Sequence, residues 1–361
     1  MGNQLPNTAT PLIFDGHNDV LLKLMLEGGV ESAMNFTTGR GGHIDVPRSE
    51  FSGFAGGLFA VFIRSTTASQ SKAERYAAMS KDAYDLPLPP VLDQATALDE
   101  TLQQIAILLR LQELDALKIC TTTDDLRGCF ASGKMAAVLH MEGAEAIDAD
   151  LHVLDVLYAA GLRSIGPVWS RPTIFGHGVP FRYPSTGDTG AGLTEAGFRL
   201  VKRCNALGVM LDLSHLNEAG FWDIAKTSNA PLVATHSNAH AICPHARNLT
   251  DKQLDAIADS DGMVGLNYGC AFLRPDGKMR PDVGFDVMLQ HLDYMIDRIG
   301  EDRVGLGSDF DGSMVPDVMT DVTGLNGLRA AMRAHGYDKN LMQKLCFENW
   351  LRVLDKTWIK N

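Results

Sequence analysis

Val209-Met210-Leu211-Asp212-Leu213-Ser214-His215 and Leu232-Val233-Ala234-Thr235-His236 are two short apolar runs that each end on a histidine. Between them, Glu218–Thr227 carries the spacing of an amphipathic helix and opens on an acidic residue. An unbroken apolar run of this length reads as a strand buried on both faces, and strand–helix–strand reads as a parallel unit. Working outward, the same beat recurs. Leu12–Phe14, Gly57–Ile63, Met135–His140 and Ser164–Trp169 precede this unit, and Met263–Asn267 and Val304–Gly307 follow it. Helical stretches are predicted at Ala95–Ala116, Ala149–Ala160, Thr194–Leu207, Asp251–Ala258, Val283–Ile299 and Leu341–Lys356. Eight such strands are enough to close a TIM-type (β/α)₈ barrel of the metal-dependent hydrolase type, which is the fold expected here.

The chain has 361 residues. A barrel of this type needs about 250 and accepts insertions, so a single domain over residues 1–361 is expected. Two stretches show no clear period, at about 36–53 and 170–192. The second follows the fourth strand, where barrel loops carry function.

Composition removes several classes. The hydrophobic fraction is 45% and the charged fraction 21%, with a net charge of −12. An acidic surface repels phosphate backbones, which argues against a nucleic-acid partner. No stretch reaches the ~18 apolar residues of a membrane span. Met1–Thr8 lacks the basic and apolar regions of a leader, and the C-terminal residues match no lipid-anchor signal, so a cytoplasmic location is expected. The six cysteines are scattered without a Cys-x-x-Cys and are expected to be reduced and buried.

The chemistry lies at the strand ends. His17 and Asp19 end the first strand, Glu142 the third, His215 the fifth, His236 the sixth and Asp309 the eighth. Each alone reads more readily as a structural residue. Together they fall at the C-terminal ends of five strands, which in a barrel converge on one mouth. Imidazole nitrogen and carboxylate oxygen are zinc ligands at about 2 Å, although Mn or Co also suit such donors. Two metals about 3.5–4 Å apart activate a water and polarise a carbonyl. Three ligands per metal with one shared carboxylate require five residues, and His17, Asp19, Glu142, His215 and His236 supply them.

From Asp15 to about Leu354 the chain resembles the membrane (renal) dipeptidases, zinc peptidases of the amidohydrolase-like barrel superfamily. The strings that carry the resemblance are Asp15-Gly16-His17-Asn18-Asp19, Glu142-Gly143, Asp212-Leu213-Ser214-His215, Thr235-His236-Ser237, Arg247-Asn248 and Gly307-Ser308-Asp309-Phe310-Asp311-Gly312. The resemblance implies two zinc ions per chain. His17 and Asp19 would bind one, His215 and His236 the other, and Glu142 would bridge. Arg247 would grip the substrate carboxylate, a task suited to a guanidinium. Asp309 would move the proton from the bridging hydroxide's water to the leaving amine. The implied substrate is a dipeptide, L,D as well as L,L, and a homodimer is the implied assembly. Where the family often carries a histidine after the fourth strand, this chain reads Val168-Trp169-Ser170. His177, or Ser170 itself, is then the candidate for that substrate contact.

The alternative activity is that of a related metallohydrolase acting on a lactone, cyclic amide or N-acyl amino acid. A catalytically silent binding protein would lack a ligand, and none of the five is missing. His240 and His245 read as supporting or surface residues, Asp311 as an orienting group, and Ser69-x-x-Lys72 as incidental.

Overall fold

The eight apolar runs are all strands. In the computed structural model, which describes residues 10–65 and 71–358, they are β1 (Ile13–Asn18), β2 (Phe54–Phe62), β3 (Ala136–Glu142), β4 (Leu162–Ile165), β5 (Met210–Leu211), β6 (Val233–Ala234), β7 (Met263–Asn267) and β8 (Val304–Gly307). Ser69 and both chain ends lie outside the described residues. β1 to β5 pair in parallel in chain order, as do β6 to β8. A parallel bridge between Asp212 and Val233 joins the two arcs, and another between Asn18 and Phe310 returns β8 to β1. There the Asp19 N–H donates to the Phe310 carbonyl at 2.8 Å, and the Asp309 N–H to that of His17 at 3.0 Å. The ring of eight strands is closed, so each of them has a neighbour on both sides.

The helices between strands follow from local sequence. Gln94–Glu113, His152–Ala159, Glu195–Leu207, Glu218–Thr227, Asp251–Asp259 and Phe285–Ile299 lie close to the expected ranges. Thr194 accepts from the Gly197 N–H, and Thr250 forms a capping box with Gln253, so both helix starts are satisfied by side chains. Two expectations need correction. Residues 36–53 are not an irregular loop throughout, because Val46–Ser52 is a helix capped by Asp45 with Pro47 in its first turn. The final helix is also not continuous. It runs Lys339–Gln343, then a π-helical turn at Lys344–Glu348, then Asn349–Thr357. Residues 170–192 contain one short strand, Arg182–Tyr183, antiparallel to Tyr84–Asp85.

The lower end of the barrel is plugged. Trp350 is fully buried, and its Nε1–H donates to the Leu306 carbonyl at 3.0 Å. Glycines make room for it. A Cβ at Gly16 would meet the Trp350 ring, and one at Gly265 or Gly305 would also crowd the indole. The barrel floor is therefore built from one indole and three bare backbones, which leaves the opposite mouth for chemistry. All six cysteines are buried and free. Among the described residues no helix is long and apolar enough to cross a membrane.

Candidate active site

At the C-terminal mouth the strand ends deliver their side chains to one point. His17, Asp19, Glu142, His215 and His236 are all buried. The Glu142 Oε1 atom lies 2.9 Å from His215 Nε2, 3.3 Å from His236 Nε2 and 3.7 Å from His17 Nε2. Asp19 Oδ2 is 3.4 Å from His17 Nε2. Two overlapping ligand groups, His17–Asp19–Glu142 and Glu142–His215–His236, share Glu142, and a third buried group joins His17 and His236 to Asp212.

The donor set fits metal ions. Both ring nitrogens of His17 are buried without a hydrogen-bond partner, a costly arrangement for a polar group that nothing engages. The Nε2 atoms of His215 and His236 stand 3.1 Å apart beside the Glu142 carboxylate. Their other nitrogens are already committed. The Thr235 hydroxyl donates to Asp212 Oδ2 at 2.6 Å and contacts His236 Nδ1 at 2.8 Å. Since its hydrogen is used, Thr235 accepts from Nδ1–H, and the Nε2 lone pair of His236 is left free. Ser170 Oγ lies 3.0 Å from His215 Nδ1, so Ser170 supports a histidine from behind.

Electrostatics agree. Burial holds His215 and His236 well below the usual histidine range, hence neutral, as a ligand must be. Burial acts the same way on His17, but the Glu142, Asp19 and Asp309 carboxylates outweigh it and push that ring up to about 10. The field at this point thus stabilises positive charge. Replacing Thr235 with Val should loosen metal binding by about 10- to 100-fold. Chelator competition with zinc measures this; an unchanged affinity would mean that Thr235 does not set the tautomer.

Asp309 sits beside the cluster in left-handed backbone, φ +60°. Its Oδ2 accepts from Asn267 Nδ2 at 3.0 Å. Burial, with Asp19 adding and His17 opposing, raises its carboxyl to about 6. Only a glycine at 312 leaves space for both carboxylates, because a Cβ there would collide with Asp19 and Asp309. Asp311 does orient its surroundings, through Arg40 at 2.9 Å and the His43 N–H at 2.7 Å.

Arg247 is buried beneath Phe272, with its guanidinium 5.5 Å from the ring centre. Nη1 donates to the Ser214 carbonyl and to Ser237 Oγ, and Nη2 to the His236 carbonyl at 3.1 Å. Three of five donors are used, and the buried Nε–H has no partner. His177 is placed elsewhere. It lines a separate depression with Leu86, Leu88 and Arg182, and its carbonyl accepts from the Asn217 N–H. His245 is fully buried and accepts the Arg247 N–H at 3.0 Å, whereas His240 bonds the Ser185 carbonyl.

Two supporting residues escaped the sequence reading. His140 is two residues before Glu142 on β3, bonds Ser164 at 2.9 Å and lies 3.5 Å from Asp212. Asn267 ends β7 and holds Asp309. Both obey the strand-period and strand-end rules that pointed to the candidate ligands.

A sequence profile of the membrane dipeptidase family (peptidase family M19) matches residues 7–359. The chain belongs to the membrane dipeptidase family. A protein encoded in the region 5′ of pqqA in Klebsiella pneumoniae is 50% identical over 258 residues, 71% of this chain and 95% of that protein. A metallopeptidase crystal structure from Rhodobacter sphaeroides, liganded with a phosphinate mimic of the dipeptide L-Ala-D-Ala, superposes with a TM-score of 0.94. It is 52% identical, covering 97% of this chain and 100% of that one. The crystal structure of a metallopeptidase described as dipeptidase AC is also 52% identical, with a TM-score of 0.93 over 97% of this chain and 99% of that one. Membership in the membrane dipeptidase family agrees with the chemistry of the donor cluster.

Proposed function

We propose that this member of the membrane dipeptidase family is a dipeptidase that works with two zinc ions per chain and accepts both L,L and L,D dipeptides. The observation that carries the reading is Glu142 Oε1, within 3.7 Å of three imidazole Nε2 atoms contributed by three other strands. A metal pair in such a site acidifies a water and polarises the scissile carbonyl. The remaining work falls to the chain. His17 with Asp19 and His215 with His236 form the two sides of the site, and Glu142 joins them. Asp309 accepts a proton at the mouth and returns it to the leaving amine, with Asn267 fixing its orientation. Arg247 offers its unused Nε–H and one Nη2–H to the α-carboxylate, a bidentate contact. The cleft above is about 490 Å³, and its walls include Phe62, Trp169, Phe181 and Phe272, which shield the reacting atoms from water. The L-Ala-D-Ala mimic bound by the Rhodobacter sphaeroides relative supports extension to D-configured residues.

Metal content of the purified protein, measured beside hydrolysis of a small L,L and L,D dipeptide panel, tests the proposal. About two zincs with turnover of both series is the expected result. Two zincs without turnover would transfer the site to lactone, cyclic amide or N-acyl substrates, and no metal would end the proposal. Arg247 separates these chemistries. Arg247→Met should raise KM for dipeptides by about 10- to 100-fold, the loss of a charge-assisted contact, and leave a neutral lactone unaffected. Equal KM for dipeptides in both proteins would remove Arg247 from carboxylate recognition.

A further inference from the structure

The same cleft carries cations that the proposed chemistry does not use. Helix Lys72–Ala78 presents Lys72, Arg75 and Tyr76 to it, and the next residue on that face, Met79, follows. These positions are three and four apart, so they share one helix face. Lys23 and Arg64 also line the cleft, but each has an acidic partner: Glu27 at 3.7 Å and Glu100 at 3.4 Å. Lys72 and Arg75 differ. The Lys72 ammonium donates only to a neutral carbonyl, that of Gly312, at 3.1 Å. Arg75 forms no ion pair among the described residues, and its buried Nε–H has no hydrogen-bond partner.

The carboxylates that line the cleft are otherwise engaged. Asp19 and Glu142 belong to the ligand cluster, Asp309 is the proton acceptor, and Asp311 is bound by Arg40. Metal ions in the cluster would offset the charge of Asp19 and Glu142, so two cations would then face a cleft in which Asp309 is the one carboxylate neither in the ligand cluster nor bound by Arg40. Arg247 already serves the α-carboxylate. A second negative group suits this helix face, because two cations on one wall of the cleft, one exposed and one half-buried, attract and orient an opposite charge.

We propose that Lys72 and Arg75 form a specificity subsite for a second carboxylate, so that the preferred substrates are dipeptides with an acidic side chain. This rests on the dipeptidase reading. The α-carboxylate stays at Arg247, and the side-chain carboxylate of an aspartyl or glutamyl residue lies against the helix. No bond is made or broken there; the subsite acts on substrate choice and, through its charge, on the salt dependence of KM.

The test compares each glutamyl dipeptide with its glutaminyl isostere, placed first or second, using the zinc-loaded full chain. The readout is the ratio of kcat/KM for Glu over Gln. In one position it should exceed about ten and shrink with added salt. Arg75→Gln and Lys72→Met should each bring it towards one, and Arg75→Lys should keep most of it. Because the ratio is internal to one preparation, loss of folded protein does not alter it. A ratio of one or less in both positions overturns the proposal. So does a ratio unmoved in both charge-removing variants. If either variant raises KM equally for Glu and Gln substrates, the pair binds the α-carboxylate and the proposal also fails. Absence of all dipeptide turnover refutes the dipeptidase reading separately. Calorimetry with phosphinate mimics of Ala-Glu and Ala-Gln then decides the subsite: tighter binding of the Glu mimic by about tenfold, lost in Arg75→Gln, upholds it, and equal affinity overturns it.

Discussion

Glu142→Ala should yield a folded protein that no longer keeps a metal pair and hydrolyses dipeptides slower by on the order of 10³-fold or more. The argument is geometric first. Glu142 is the one carboxylate common to both ligand groups, so its loss leaves each with two side chains. It is also energetic. Burial raises the Glu142 carboxyl well above its ordinary range, with the Asp19 and Asp309 carboxylates adding to the effect and His17 opposing it. Burial thus disfavours the charged form of Glu142, so its removal should cost the metal-free protein less stability than it costs the metal-loaded one. Metal analysis, thermal melting with and without chelator and kcat/KM check the three parts together. A variant that keeps two metals and its rate would contradict the role given to Glu142.

Asp309→Asn should act differently. The amide matches the carboxylate in shape and can still bond Asn267, but it accepts no proton. The rate should fall by about 10²- to 10⁴-fold, the usual worth of general acid–base catalysis, while the metal content stays as in the parent protein. The pair of variants therefore divides the site into ligands and proton carrier. Loss of metal in Asp309→Asn would place Asp309 among the ligands and remove it from proton transfer; an unchanged rate would remove it from the chemistry.

Much of this was legible in the sequence, for identifiable reasons. Strands buried on both faces must be apolar throughout, and Met263–Asn267 and Val304–Gly307 lie where that rule puts them. The clustering of the candidate ligands was legible because strand ends in a barrel converge, so His215 and His236 become neighbours without being near in sequence. What escaped depends on neighbours that a linear reading does not supply. His140 looks like one more residue in an apolar run until Ser164 and Asp212 are beside it. The helix at Val46–Ser52 had a signal, Asp45 followed by Pro47, that was hidden in a stretch short of apolar residues. His177 shows the converse limit. Its distance in sequence from Trp169 allowed it to reach the mouth, but the loop path, fixed by backbone bonds such as that from Asn217, takes it away. Lys72 was dismissed with an incidental pattern because nothing in the sequence says on which surface a short helix will dock.

The indole that plugs the barrel floor has a consequence for how the molecule is made. Gly16 of β1 packs against the indole of Trp350, which is synthesised much later than that strand. A nascent chain can form the early strand–helix units, but its first strand has no final neighbour and its interior no floor until residue 350 has left the ribosome. Barrel closure thus waits for the segment that carries Trp350. Because Asp19 and Asp309 come together only across the β1–β8 seam, the mouth reaches its working shape at the same moment. Metal delivery to this site would follow closure, and chaperone contact during synthesis should concentrate on the open seam of β1.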